Sequence, residues 1–148
     1  MPTIFFVCHG NICRSPAAEI IFKAFLEKEG LLDSYQIDSF ALTNEEIGNP
    51  IYPPMRNALL HKGYTPSNHR AKRIAQKDVE RADLILYMDS SNASLIRWMF
   101  PKQLPKFKLI TDYAPNLREI EDPWYSGRYE KVLLELEICL EGLLKSLL

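Results

Sequence analysis

The chain has 148 residues, 47% of them hydrophobic and 25% charged, and its 18 Lys+Arg against 19 Asp+Glu leave a formal charge of −1. Near-neutral charge argues against a global electrostatic hold on nucleic acid or an anionic membrane, and no apolar run reaches the ~18 residues of a membrane span. Three cysteines are too few for a disulfide framework. The length suffices to close one hydrophobic core without staples, so residues 1–148 are read as a single domain. The first eight residues lack a basic leader and a small-residue cleavage site, and a cytoplasmic setting with reduced thiols is expected.

Residues 4–7 are apolar without alternation, as expected of a central parallel strand covered by helices. Ser15 then offers an N-cap and Pro16 a first-turn residue. The helix they open repeats Ile20, Ile21, Ala24 and Phe25 and stops at Gly30. Residues 35–40 read as a second strand. Asn49-Pro50 and Pro53-Pro54 mark a loop before a helix over residues 55–62, and a short helix over 76–81 leads into a strand over 83–88. Residues 90–100 read as a helix, 107–110 as a fourth strand and 112–126 as a long loop. Tyr129, Val132, Leu133, Leu136, Leu140, Leu143, Leu144 and Leu147 form one apolar stripe on a C-terminal helix, and Cys139 falls in with it as core. Strand alternating with helix predicts an α/β domain with a parallel sheet, whose ligands bind at loops beyond the carboxyl ends of the strands.

The loop after the first strand reads Cys8-His9-Gly10-Asn11-Ile12-Cys13-Arg14-Ser15. A loop of this length can curl so that successive backbone N–H groups converge on one anion, and the helix that follows adds its positive end. Gly10 permits a backbone conformation barred to residues with Cβ, and Asn11 tolerates it. Arg14 is expected to return to the rim and grip two oxygens of a tetrahedral oxyanion. Cys8 is expected at the floor, its sulfur aimed at the anion and favoured as thiolate by the same field. Ser15 is placed to donate a hydrogen bond to it. Thiolate beside a phosphate cradle points to nucleophilic attack on phosphorus. A zinc reading of Cys8, His9 and Cys13 lacks a second ligand pair, and the nucleotide P-loop pattern is absent. His9 and His61 have no clear partner in the sequence.

Residues 7–16 resemble the signature of the low-molecular-weight protein tyrosine phosphatases nearly end to end. The resemblance extends along the chain, through residues 88–92 to Asp122-Pro123. It implies a four-stranded parallel sheet flanked by helices on both faces, a phosphate-binding loop after the first strand, and neither metal nor organic cofactor. It implies Cys8 as nucleophile, Arg14 as phosphoryl ligand, and Asp122 as the acid that protonates the leaving oxygen and then the base that activates water. Phosphate contacts are expected from His9, Gly10, Asn11, Ile12, Cys13, Arg14 and Ser15, and loop support from Asn11, Ser15, Ser39 and His69. Cys13 is implied as a redox guard that pairs with Cys8 under oxidation. After Asp-Pro the family usually carries two tyrosines, whereas this chain has Trp124 and Tyr125, which would wall a slot deep enough for a phosphorylated phenol. Where the family often has an aromatic rim residue this chain has Glu45, so acidic phosphopeptides should be disfavoured against basic or small substrates.

The expected partner is a phosphotyrosine protein or a small aryl phosphate, with neither nucleic acid nor membrane, and the chain is expected to be a monomer or to self-associate weakly. An arginine phosphatase on the same scaffold is the nearest alternative. The residue after Asn11 is Thr in arginine-directed relatives, and Ile12 favours an aryl phosphate. Arsenate reduction would need relay cysteines between Cys13 and Cys139, where there are none. A non-catalytic phosphopeptide-binding module would need neither Cys8 nor Asp122.

Overall fold

β1 (Thr3–Cys8) is buried along its whole length, and its side chains divide between two cores, as the twofold alternation of a strand requires. Ile4, Phe6 and Cys8 join a cluster of 27 buried residues on one face, while Phe5 and Val7 join a cluster of 11 on the other. The computed structural model describes residues 1–148. Three more strands, β2 (Gln36–Ala41), β3 (Leu84–Tyr87) and β4 (Phe107–Leu109), complete an all-parallel sheet in the order β2-β1-β3-β4. Six helices cover it: α1 (Arg14–Lys28), α2 (Pro53–His61), α3 (Gln76–Arg81), α4 (Ser90–Met99), α5 (Pro123–Ser126) and α6 (Tyr129–Leu147). α1, α2 and α6 feed the larger cluster, and α3 and α4 the smaller. The expected α/β architecture is therefore present.

Strand order reverses between β1 and β3, because β2 lies on one side of that pair and β4 on the other. Such a switch point leaves a crevice beyond the carboxyl ends of the two central strands. Cys8 ends β1 there, and Asp89, two residues beyond β3, caps α4 by accepting the Asn92 N–H at 2.8 Å.

Several local expectations are corrected. The N-cap of α1 is Cys13, without a side-chain cap bond, and Ser15 lies inside the first turn with its hydroxyl turned back to Cys8. The buried face of α1 is Ala17, Ala18, Ile21, Phe22 and Leu26, while Ile20, Ala24 and Phe25 are half-buried. Apolar residues occur around much of this helix, so their spacing alone did not choose the face. α2 begins at Pro53, with both prolines in its first turn, where a missing N–H costs nothing. β4 stops at Leu109, and the expected loop over 112–126 holds the end of a 3₁₀ turn (Ile110–Tyr113) and all of α5. The stripe on α6 is as expected, with Cys139 fully buried in it. Helix α6 also runs so close to the 3₁₀ turn that a Cβ on Gly142 would overlap the Tyr113 carbonyl.

Candidate active site

The loop joining β1 to α1 turns its carbonyls outward. Leu42 N–H donates to Cys8 O (3.0 Å), Thr43 N–H to His9 O (3.2 Å), Tyr52 N–H to Ile12 O (2.9 Å) and Ala17 N–H to Cys13 O (3.2 Å). His69 Nε2 donates to Asn11 O at 2.7 Å. No peptide bond in the chain is cis, and in a trans peptide the carbonyl and the next residue's N–H point opposite ways. Anchoring these five carbonyls outward therefore turns the N–H groups of His9, Gly10, Ile12, Cys13 and Arg14 toward the concavity. None of the six backbone N–H groups from His9 to Arg14 donates within the protein. The result is a ring of donors at the N-terminus of α1, a site built for an anion.

Only one loop residue takes the left-handed backbone: Asn11, at φ 61°. Gly10 does not, contrary to expectation; its constraint is contact, since a Cβ there would lie 3.2 Å from Glu46 Cγ. Asn11 is fully buried, and its amide donates to Ser15 Oγ (2.8 Å) and Ser39 Oγ (3.1 Å) while its oxygen accepts Lys72 N–H (3.1 Å). Having accepted from Asn11, the Ser15 hydroxyl is free to donate to Cys8 Sγ at 3.1 Å, and Ser15 N–H reaches the same sulfur at 3.4 Å. The Ser39 hydroxyl donates to Glu19 Oε1 (2.6 Å), whose other oxygen pairs with Lys23 (2.7 Å). A segment along the end of β2, where Ile74 N–H donates to Ala41 O (2.9 Å), carries His69 and Lys72 to the loop. Burial lowers the His69 pKa against the partial support of the Asn11 carbonyl, so the ring is neutral with its proton on Nε2.

The two loop cysteines differ in environment. Burial pushes the Cys13 thiol far up, and the neighbouring Cys8 and Asp122 charges push it further, so Cys13 stays protonated at neutral pH. Cys8 has the two Ser15 donors instead.

Arg14 is only 2% exposed and lies at the floor of the site, not at its rim. Its NH1 donates to Asp89 Oδ2 (2.6 Å) and to Ile120 O (2.8 Å), and its NH2 faces Asp122 Oδ2 at 3.5 Å. Burial alone would lower its pKa, but the Cys8 and Asp89 charges reverse the direction and hold it a cation. Because NH1 is taken by Asp89 and Ile120 O, the edge left to face an oxyanion is Nε and NH2, the latter beside the Asp122 carboxylate.

Asp122 opens α5, where its carboxylate accepts Trp124 N–H at 3.0 Å and Pro123 fills the first helical position. The approach to it is fixed on both sides. Ile120 N–H donates to Met88 O (2.9 Å) at the end of β3. Glu121 accepts from Lys131 (2.6 Å) and bidentately from Arg128 (2.9 and 3.0 Å), and the Lys131, Ser126 and Arg128 contacts bring its carboxyl down to about 2.

Around these groups lies a pocket of about 350 Å³ lined by Cys8, His9, Gly10, Ile12, Cys13, Arg14, Glu45, Glu46, Asp122, Trp124 and Tyr125. A larger groove of about 640 Å³ between α2 and the start of α6 contains none of the loop residues, and the convergent donors make the smaller one the candidate site. The pocket gathers the expected nucleophile, cation, carboxylate and rim residues; Ser15, Ser39 and His69 stand behind it as braces. His9 and His61 both have partners: His9 Nε2 lies 2.7 Å from Glu45, and His61 pairs with Glu130 at 3.0 Å. These pairs are exposed, so each contributes little stability.

Sequence reasoning did not assign Asp89, Glu46, Tyr52, Lys72 or Glu19. Asp89 carried a signal, since Asp-Ser-Ser-Asn reads as a helix N-cap and a capping carboxylate keeps one oxygen for a second partner. Glu46 lines the pocket with its carboxylate fixed by Asn49 Nδ2 at 2.6 Å.

Comparison with known proteins agrees with this arrangement. A model of the family described as low molecular weight phosphotyrosine protein phosphatase matches residues 3–148. The low molecular weight protein-tyrosine-phosphatase YfkJ of Bacillus subtilis is 33% identical over 150 residues, spanning 99% of this chain and 96% of that protein. The crystal structure of YfkJ superposes with a TM-score of 0.95 over 99% of this chain and 94% of that one. The human low molecular weight phosphotyrosine protein phosphatase is 33% identical over 153 residues, 97% of this chain and 94% of that protein. The YwlE arginine phosphatase of Bacillus subtilis is also similar, at 30% identity and a TM-score of 0.88 over 98% of this chain and 95% of that one. With the likeness running through both the phosphate loop and the Asp-Pro segment, the chain belongs to the low molecular weight phosphotyrosine protein phosphatase family.

Proposed function

We propose that the protein hydrolyses phosphotyrosine and small aryl phosphates through a phosphocysteine at Cys8. The observation that carries this reading is the ring of unpaired N–H donors around Cys8, with Asp122 in the lining of the same pocket. Bound there, the phosphoryl oxygens meet the loop N–H groups and the free edge of Arg14. Cys8 Sγ attacks phosphorus, the S–P bond forms as the P–O bond to the phenol breaks, and Asp122 gives its proton to the departing oxygen. Asp122, now a carboxylate, takes a proton from water as the water oxygen attacks phosphorus. The S–P bond breaks, and inorganic phosphate leaves. Fixed dipoles aimed at the phosphoryl oxygens supply the electrostatic stabilisation, and the Ser15 donors stabilise Cys8 each time it becomes the leaving group.

Cys13, protonated and in the same loop, is the partner proposed to rescue an oxidised Cys8. After peroxide converts Cys8 to a sulfenic acid, the Cys13 thiol attacks it and releases water to form a disulfide. No helix is long and apolar enough to cross a membrane. The proposed setting is the cytoplasm, where a reducing poise keeps the three free cysteines as thiols. The protein is expected to act as a monomer or with weak self-association.

Similarity to the arginine phosphatase keeps a second substrate in view, a phosphorylated guanidinium. Against it stands Ile12, which puts an aliphatic side chain in the pocket lining. The deciding experiment assays phosphotyrosine, phosphoarginine, phosphoserine and arsenate side by side, with Cys8→Ser as control. Preference for phosphotyrosine, with turnover lost but oxyanion binding retained in the Cys8→Ser protein, is the expected result. A preference for phosphoarginine would move the assignment to the second reading, and turnover by Cys8→Ser would end the phosphocysteine mechanism.

A further inference from the structure

Tyr52 stands at the N-cap of α2, a position that favours Ser, Thr, Asp or Asn, and it makes no side-chain cap bond. The helix tolerates this because Pro53 and Pro54 follow, and two of the N–H groups that a cap would serve are absent. What the tyrosine does instead is visible in its contacts. Its backbone N–H donates to Ile12 O at 2.9 Å, one of the bonds that turn the phosphate loop's carbonyls outward. Its ring packs on Trp124, with centroids 4.8 Å apart and planes at 50°, and also approaches Tyr129 at 6.3 Å. Trp124 is the second residue after Asp122, and its N–H is the one the Asp122 carboxylate accepts. Tyr129 opens α6, so the ring sits between the proton-donor segment and a fixed helix. Tyr52 thus touches both halves of the site, the phosphate loop through its backbone and the donor segment through its side chain.

We propose that Tyr52 is a positioning residue for the reaction, a strut whose ring holds the Asp122 segment in register with the phosphate loop. The inference rests on Asp122 being the proton donor. Trp124 is 52% exposed; the tilted ring contact with Tyr52 limits where α5, and the carboxylate at its start, can lie. Phosphate binding by the loop depends on the Tyr52 backbone, which every substitution keeps, whereas proton delivery depends on the ring. The two can therefore be separated.

The test compares kcat/KM for phosphotyrosine and for an aryl phosphate with an activated leaving group, which needs little protonation, together with inhibition by inorganic phosphate. Tyr52→Leu is expected to lower kcat/KM for phosphotyrosine about tenfold, equivalent to about 1.4 kcal/mol, and to change the activated substrate and phosphate inhibition by less than about twofold. Tyr52→Phe keeps the ring and should restore the parent values. Trp124→Leu breaks the same contact from its exposed side; because Trp124 also lines the pocket it should lower both substrates, but the ratio between them should shift as in Tyr52→Leu, and the double variant should shift that ratio no further than either single one. This second variant keeps the test decisive if Tyr52→Leu folds poorly. Equal losses on both substrates in Tyr52→Leu, an unshifted ratio in Trp124→Leu, or additive shifts of the ratio in the double variant would overturn the strut. Asp122→Ala, run in parallel, separates the two levels. If it shows the leaving-group split and Tyr52→Leu does not, the strut alone falls; if it shows none, the proton-donor reading falls as well.

Discussion

On one side of the pocket, Asn11, Arg14 and Ser15 are at most 2% exposed, and carbonyls along their loop are anchored by β2, α2 and the segment that carries His69. On the other side, Trp124 and Tyr125 are 52% and 86% exposed, and the segment around Asp122 is tied mainly at its base, through Ile120 and Glu121. The contrast matches what the proposed mechanism asks of each side. Donors aimed at a phosphoryl group are effective when they need no reorganisation, which requires a loop whose every carbonyl has somewhere else to point. A proton donor and the walls of a substrate slot must instead admit and release a bulky phenol, which requires access. Damage to the first side should therefore cost stability and activity together, and damage to the second activity alone.

The sharpest break of that comparison is Asp122→Ala. The rate on phosphotyrosine should fall by about 10²- to 10⁴-fold, the usual worth of a general acid, while the unfolding free energy moves by less than about 1 kcal/mol. A large loss of stability would mean that the donor segment is part of the fold's support. Asn11→Ala is the counterpart on the braced side. It deletes the bonds to Ser15, Ser39 and Lys72 N–H and leaves a Cβ-bearing residue in the left-handed region. Urea unfolding should show a loss of about 2–4 kcal/mol, accompanied by weaker phosphate inhibition. Asn11→Gly relieves the backbone and should recover about 1 kcal/mol of it; a protein of parental stability would show that the loop does not depend on the Asn11 network.

The smallest effect concerns pH. Burial lowers the folded-state pKa of His69 below its ordinary 6.5, so the unfolded chain takes up that proton at higher pH than the folded one. The contribution of His69 to stability is thus whole above pH 6.5 and is lost as the pH falls toward the folded value. Denaturation at about pH 5 and about pH 7.5 should reveal a stability gap that shrinks in His69→Gln. That variant can still donate to Asn11 O without titrating. An unchanged gap would assign the pH dependence to other groups.

Much of the phosphate loop was legible in the chain because its physics is local. A buried strand, a short loop and a helix start occupy consecutive residues, so Cys8, Asn11, Arg14 and Ser15 could be named from their order alone. The alternatives left open within it were also local in kind. Whether Ser15 caps the helix or turns to Cys8, and whether Gly10 or Asn11 takes the left-handed backbone, depends on which partners arrive from elsewhere. The β2 end, α2 and the His69 segment supply those partners. The apolar stripe of α6 was legible for the same reason as the loop, since one helix presents it, while α1, apolar around much of its circumference, needed the sheet to choose its buried face.

By itself, the sequence determined the alternation that makes a parallel α/β sheet, the place of the anion site after β1, and the thiol and arginine that the loop brings to it; Asp122 was singled out only by the resemblance to a family. Tertiary structure alone decided what orients them. Asp89 and Ile120, which fix Arg14, lie 75 and 106 residues away along the chain, and Tyr52, at the N-cap of α2, meets Trp124 of α5 and Tyr129 of α6. Orientation in a buried site is set by contacts between distant segments, and a pattern read over neighbouring residues carries no record of which distant segments will meet.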